Sequence, residues 1–268
     1  MKQLVYFISD STGITVESLG TSLLAQFHRI NFDIITVRYV DSLDKVDRLC
    51  VQINAAGQES GRKPLVFSTL VEGQLRARLQ NAEAHVIDFM GEFLTPLEEI
   101  LHAQASPSRG LTHGRRQEKD YEHRMDAVNF ALLNDDGVST AHYDQADLIL
   151  IGVSRSGKTP TSVYLAMQYG LYAANYPLVD EDLDLLKLPD VLIKHRKKLF
   201  GLLIAPERLQ EIRQARRPGS VYSSLAQCQH ELREVKNLYQ EYNVPVVDVT
   251  NLSVEEIATH ILIAIKTP

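Results

Sequence analysis

A chain of 268 residues with 44% hydrophobic and 23% charged side chains can form one large α/β domain or two smaller ones, each with a buried core. The net charge of −6 argues against a nucleic-acid surface, and Cys50 and Cys228 are too few for a disulfide framework or a four-cysteine zinc site. No apolar run reaches the ~20 residues that span a bilayer, and the amino terminus lacks the long apolar stretch and cleavage site of a signal peptide. The expectation is a reduced, cytoplasmic protein with no membrane and no nucleic-acid partner.

Residues 4–9, 34–40, 65–68 and 86–89 are short and rich in Val, Ile and Phe, which predicts strands. Helical stretches fall between them at 14–28, 44–56 and 72–81, so βαβ units and a mostly parallel sheet follow. Thr95-Pro96 reads as the cap and first turn of a helix over 95–103. Polar, basic, glycine-containing sequence at 106–118 breaks the pattern and predicts a linker or loop. A helix is then expected over 119–133, closed by Asn134-Asp135-Asp136-Gly137. Alternation resumes with strands at 148–151, 172–179, 199–205 and 244–249. Helices are expected at 160–168, 207–217, 222–242 and 253–266, the last opened by the capping box Ser253-Val254-Glu255-Glu256. No internal repeat is visible. The predicted class is α/β: an N-terminal, mostly parallel Rossmann-like βαβ domain (1–105), then a kinase-like α/β domain carrying a phosphate-binding loop (119–268).

That loop is Gly152-Val153-Ser154-Arg155-Ser156-Gly157-Lys158-Thr159, a full match to G-x-x-x-x-G-K-[ST] between an apolar strand and a helix. In this context backbone N–H groups and a helix start converge on an anion, which predicts a bound nucleotide di- or triphosphate. Lys158, expected to be exposed, would bring a charge to the phosphoryl oxygens, and Thr159 a hydroxyl to a magnesium ion.

Other candidates keep two readings each. Ser9-Asp10-Ser11-Thr12-Gly13 follows the first strand, where open parallel sheets bind ligands; it is an anion cradle with Asp10 as an acid–base group, or a helix cap. Asp135-Asp136-Gly137 is a pair of carboxylates for a metal or a proton, or a plain turn. Arg115-Arg116, the run Lys194 to Lys198, and Arg213, Arg216 and Arg217 grip anions or are solvated faces, the latter being the default. The nine histidines have no metal-ligand spacing. Val246-Val247-Asp248 is the nearest approach to a strand whose terminal aspartate could serve the loop's magnesium, so an ordinary GTPase or ATPase is disfavoured.

Several segments together resemble the bifunctional regulatory proteins of pyruvate, phosphate dikinase and of phosphoenolpyruvate synthase. They are Ser9 to Gly13, Arg124 to Gly137, Gly152 to Pro160, Lys198-Leu-Phe-Gly-Leu, Arg216 to Leu225, and Thr250 to Ile257, spread almost end to end. Gly157-Lys158 and the run Thr161 to Gln168 are closer to the synthase branch, while Ser156 stands where Cys or Thr is expected. The resemblance implies phosphorylation of an active-site threonine of the synthase, with ADP as donor. It implies recognition of the target when its neighbouring catalytic histidine is phosphorylated. It also implies removal of the phosphate by inorganic phosphate, releasing pyrophosphate. Residues 152–159 would hold ADP, Lys158 would stabilise the group in transfer, and Asp136, Asp135 or Asp10 would serve as base and acid. The second phosphate site would fall to Ser11, Thr12 and Gly13 or to Arg115 and Arg116. The other readings are the same activities on pyruvate, phosphate dikinase, a small-metabolite kinase using ATP, and a non-catalytic ADP sensor. A homo-oligomer is compatible with each.

Overall fold

The computed structural model describes residues 2–105, 117–137 and 139–266, and the chain forms two compact units, Met1–Gly114 and Arg115–Pro268. Most of the expected linker, with Arg115 and Arg116, lies outside the described residues.

The first unit runs β1 (Lys2–Ile8), α1 (Ile14–Leu24), β2 (Asn31–Val37), α2 (Leu43–Ser60), β3 (Leu65–Ser68), α3 (Gly73–Leu79), β4 (His85–Asp88) and α4 (Phe89–Leu101). Its strands pair in parallel in the order β2-β1-β3-β4. The period of two along β1 splits the core in two. Tyr6 and Ile8 pack with Val46, Leu49, Ile53, Leu75 and Leu79 of α2 and α3, while Val5 and Phe7 pack with Val16, Leu24, Phe67 and Phe89.

The second unit opens with α5 (Gln117–Leu133) and continues through β5 (Leu148–Gly152), α6 (Lys158–Tyr169), β6 (Ala173–Pro177), α7 (Asp180–Asp184), α8 (Asp190–Lys194) and β7 (Leu199–Leu203). It closes with α9 (Pro206–Arg216), α10 (Leu225–Glu241), β8 (Val246–Asp248) and α11 (Val254–Lys266). The strands are again parallel, in the order β6-β5-β7-β8. Every residue of β5 is buried, as expected of an inner strand covered on both faces.

The two sheets thus share one topology, although the sequence shows no repeat. In each, the opening strand lies between the second and the third, so the strand order reverses beside it. Ligands of open α/β sheets bind at the carboxyl ends of strands at such a reversal. The loops after β1 and β5 both stand there.

Some boundaries differ from expectation. Helix α4 starts at Phe89 because the Asp88 carboxylate accepts the Gly91 N–H at 3.0 Å, an N-cap well upstream of Thr95-Pro96, which lies inside the helix. Helices α7 and α8 span five residues each, too short to leave a periodic signature. The capping box of α11 is present, with Ser253 N–H to Glu256 Oε2 at 2.8 Å and Glu256 N–H to Ser253 Oγ at 3.3 Å. Among the described residues, no helix is long and apolar enough to cross a membrane.

Candidate active site

Strand β5 delivers the chain into the glycine-rich loop. A Cβ on Gly152 would come within 2.9 Å of Ser156 Oγ and 3.0 Å of the Leu202 carbonyl, so the loop closes against β7 only without a side chain there. The loop turns through Arg155 at φ 74° and ends on Gly157, the left-handed N-cap of α6 (φ 89°, ψ 9°). A Cβ on Gly157 would meet nothing within 4 Å. The glycine instead lines an open cavity of about 260 Å³, shared with Ser154, Arg155, Lys158, Thr159, Pro160 and Asp136. Gly152, Val153 and Ser156 are buried and do not line it, and Ser156 Oγ has no hydrogen-bond partner among the described residues. The first amides of α6 have no acceptor within the helix, so an anion in the cavity finds donors ready.

Lys158 is not exposed: only 4% of it is accessible, and its Nζ donates to the Val153 carbonyl at 3.0 Å. As the first residue of α6 it folds its stem back over the loop. Burial lowers its pKa to about 8, against the opposing pull of the Asp136 and Asp135 carboxylates.

Those carboxylates come from the turn after α5. Asp135 Oδ1 accepts from Thr159 Oγ1 at 2.8 Å and from Asn175 Nδ2 at 2.5 Å. Asp136 takes a left-handed conformation (φ 50°), its N–H donates to Asn175 Oδ1 at 3.0 Å, and the residue lines the cavity. The turn therefore belongs to the site. Asn175, fully buried in β6, also donates its backbone N–H to the Asn134 carbonyl at 3.1 Å. It fixes both aspartates and was missed in the sequence, where only an asparagine between Ala173-Ala174 and Tyr176 marked it.

The oxygens of Thr159 and Asp135 suit a hard cation, but no group of three or more His, Cys, Asp or Glu side chains able to hold a metal occurs among the described residues. A magnesium ion would need phosphate oxygens and water to complete its shell. Asp248 ends β8, two strands from β5, and its carboxylate is engaged by the N–H and hydroxyl of Thr250 at 3.0 and 2.6 Å.

Arg213, read from sequence as part of a solvated basic face, is fully buried. Its guanidinium grips Glu231 through both carboxylate oxygens (2.8 and 2.6 Å) and donates to the carbonyls of Ser154 (3.1 Å) and Tyr222 (3.0 Å). It also stacks 4.1 Å from the centre of the Tyr222 ring, whose hydroxyl lies 2.9 Å from Ser154 Oγ. A signal existed in the spacing: Arg213 lies four residues after Leu209, and Glu231 sits in the Cys228-Leu232-Val235 stripe, so both fall on buried faces.

In the first unit, Gly13 is the left-handed N-cap of α1 (φ 83°), the Ser11 N–H donates to Ser9 Oγ at 3.2 Å, and Asp10 Oδ2 accepts from the Val71 N–H at 3.0 Å. Arg38 Nε donates to the Thr12 carbonyl at 2.9 Å. The run Lys194 to Lys198 flanks the amino end of β7, opposite the end of the sheet that carries the 152–159 loop, and Lys198 Nζ donates to the Asp144 carbonyl at 2.7 Å.

Known proteins bear on this arrangement directly. A family model described as kinase/pyrophosphorylase matches residues 5–262. Curated relatives from Ectopseudomonas mendocina and Marinobacter nauticus are each 52% identical over 263 residues, covering 98% of this chain and 97% of their own. A relative from Legionella pneumophila is 49% identical over 262 residues with the same coverage. All three bear the name "Putative phosphoenolpyruvate synthase regulatory protein". With both units spanned at this identity, the chain belongs to the kinase/pyrophosphorylase family.

Proposed function

We propose that this protein regulates phosphoenolpyruvate synthase by two opposed phosphoryl transfers at the 152–159 loop. In one, the synthase in its histidine-phosphorylated form presents a threonine hydroxyl to the β-phosphorus of ADP. The new P–O bond to threonine forms as the bond to the α-phosphate oxygen breaks, and AMP leaves. In the other, inorganic phosphate attacks the phosphothreonine phosphorus, the bond to the threonine oxygen breaks, and pyrophosphate leaves.

The observation that carries this reading is the meeting at one cavity of Gly157 at the start of α6, Lys158 with its buried ammonium, and Asp136. The loop amides would hold the β-phosphate, and Lys158 would neutralise charge on the transferring oxygens. Asp136 would take the threonine proton going forward and return one to the threonine oxygen going back, as reversibility requires. Asp135 suits that role less, because Thr159 and Asn175 already occupy one of its oxygens. Thr159 and Asp135 would hold a magnesium ion, which when bound adds further neutralisation of phosphate charge. The relatives' names support the choice of target. ADP and inorganic phosphate are the co-substrates, and the protein meets the synthase in the cytoplasm.

The test is to incubate the protein with the synthase, phosphoenolpyruvate and ADP. Phosphothreonine on the synthase, AMP release and loss of synthase activity are expected, reversed by inorganic phosphate with pyrophosphate as product. Transfer from ATP alone, or ADP binding without transfer, would overturn the reading.

A further inference from the structure

We infer that Arg213, with Glu231 and Tyr222, is a positioning clamp that sets the shape of the phosphate loop and so determines how tightly the protein holds the β-phosphate of a nucleoside diphosphate. This rests on the proposed role of the 152–159 loop.

The loop has a conformational problem to solve. Between β5 and α6 its backbone belongs to no ladder, and Arg155 is held in the left-handed region at φ 74°, unfavourable for a residue with a side chain. Such a turn persists only where its surroundings over-determine it. The Ser154 carbonyl, on the residue before the turn, needs a donor once it leaves the sheet. Arg213 supplies it twice, from Nη2 at 3.1 Å and Nε at 3.4 Å. Tyr222 adds a second hold on the same residue through Ser154 Oγ at 2.9 Å. Pinning Ser154 on both its backbone and side chain fixes the peptide plane that leads into the left-handed turn at Arg155 and on to the start of α6.

The remaining contacts make the guanidinium immobile. Glu231 takes both of its ends in a bidentate pair, the Tyr222 carbonyl takes a further hydrogen, and the Tyr222 ring covers its face. Tyr222 is itself anchored by a braced turn, in which Ser223 Oγ donates to the Arg217 carbonyl at 2.9 Å and Gln214 Nε2 to the Ser223 carbonyl at 3.1 Å. Because Glu231 neutralises it and it does not line the cavity, Arg213 acts through the loop rather than on the phosphate. A lysine could keep a charge beside Glu231 but could not hold two carbonyls and a carboxylate in one plane.

The experiment compares ADP and AMP affinity by calorimetry for the full chain and for Arg213→Lys, Arg213→Met and Tyr222→Phe, with thermal melting to verify folding. The ratio of the two dissociation constants isolates the β-phosphate, and a variant that is only less stable leaves it unchanged. The ratio should fall about tenfold in Arg213→Met and in Arg213→Lys, and by a smaller factor, about threefold, in Tyr222→Phe, with AMP affinity unaltered. Folded Arg213 variants that keep the full ratio would overturn the clamp; should neither fold, a Tyr222→Phe protein that keeps the full ratio would do so. A wild-type chain with no preference for ADP over AMP would instead overturn the reading of the loop itself.

Discussion

The loops after β1 and β5 occupy the same place in two sheets of one topology, and each leads to a helix capped by a left-handed glycine. What surrounds the glycine differs. At Gly13 a Cβ would sit 3.3 Å from Arg38 Cγ and 3.4 Å from Thr36 Cγ2, and Arg38 also donates to the Thr12 carbonyl and pairs with Glu17. At Gly157 there is open space and a polar cavity. The residue after the glycine also differs: Ile14 is 69% exposed, whereas Lys158 is buried with its charge beside two aspartates. Topology therefore puts a loop at the same place in both sheets, and the side chains around the two capping glycines differ, packed at Gly13 and open at Gly157.

The sharpest way to break this contrast is at the residue after each glycine. Lys158→Met should lower phosphoryl transfer by about 10²–10³-fold, comparable to the loss of a preorganised donor, with the fold intact because a buried cation is replaced by an apolar chain. Ile14→Ala should leave transfer unchanged. Equal losses from both, measured as phosphothreonine formed on the synthase, would refute the distinction.

The carboxylates come next. Asp136→Asn should slow transfer by about 10²-fold with ADP affinity nearly kept, the pattern of a lost proton acceptor. Asp10→Asn, in the first unit, should do far less to the rate. A larger effect at Asp10 would move the acid–base role there.

The glycines give a smaller, more diagnostic pair. Gly157→Ala and Gly13→Ala should each destabilise by about 1–2 kcal/mol, because both backbones are left-handed. Only Gly157→Ala should weaken ADP binding, since its Cβ enters the cavity. Denaturant melts and calorimetry separate the two effects.

Lowest in magnitude is the pH dependence. Burial holds Lys158 at about 8, so its charge is lost as pH rises through that value, and ADP affinity should fall there. The stability effect has the opposite sign. Below about 8 the fold carries the desolvated cation, and the penalty is relieved as pH climbs toward the ordinary lysine value, where the unfolded chain also loses its proton. Binding isotherms from about pH 7 to about pH 9 check the first, and melts over the same window the second. Flat affinity across it would show that Lys158 is not the group facing the phosphate.

Much of this was legible along the chain. A full G-x-x-x-x-G-K-[ST] between a four-residue apolar run and a helix specifies its own local geometry, because glycine alone relieves the close approach at Gly152 and the left-handed cap at Gly157. Strand and helix alternation likewise announced parallel sheets. Boundaries moved where a competing side chain intervened, as at the Asp88 cap. Lys158 was misjudged because charge predicts exposure until a neighbouring carbonyl and two carboxylates offer burial. Arg213 was misjudged because its partner Glu231 lies 18 residues away on another helix.

Residue order alone indicated the α/β class, parallel pairing and the G-x-x-x-x-G-K-[ST] loop, since each depends on periodicity or on glycine at fixed spacing, while the division into two four-stranded sheets was decided by the tertiary structure. Packing alone decided which aspartate faces the cavity, that Asn175 orders the pair, and that Arg213 holds Ser154. Those contacts join segments separated in the chain but adjacent in the sheet, and their hydrogen bonds exist only once burial removes water as the alternative partner.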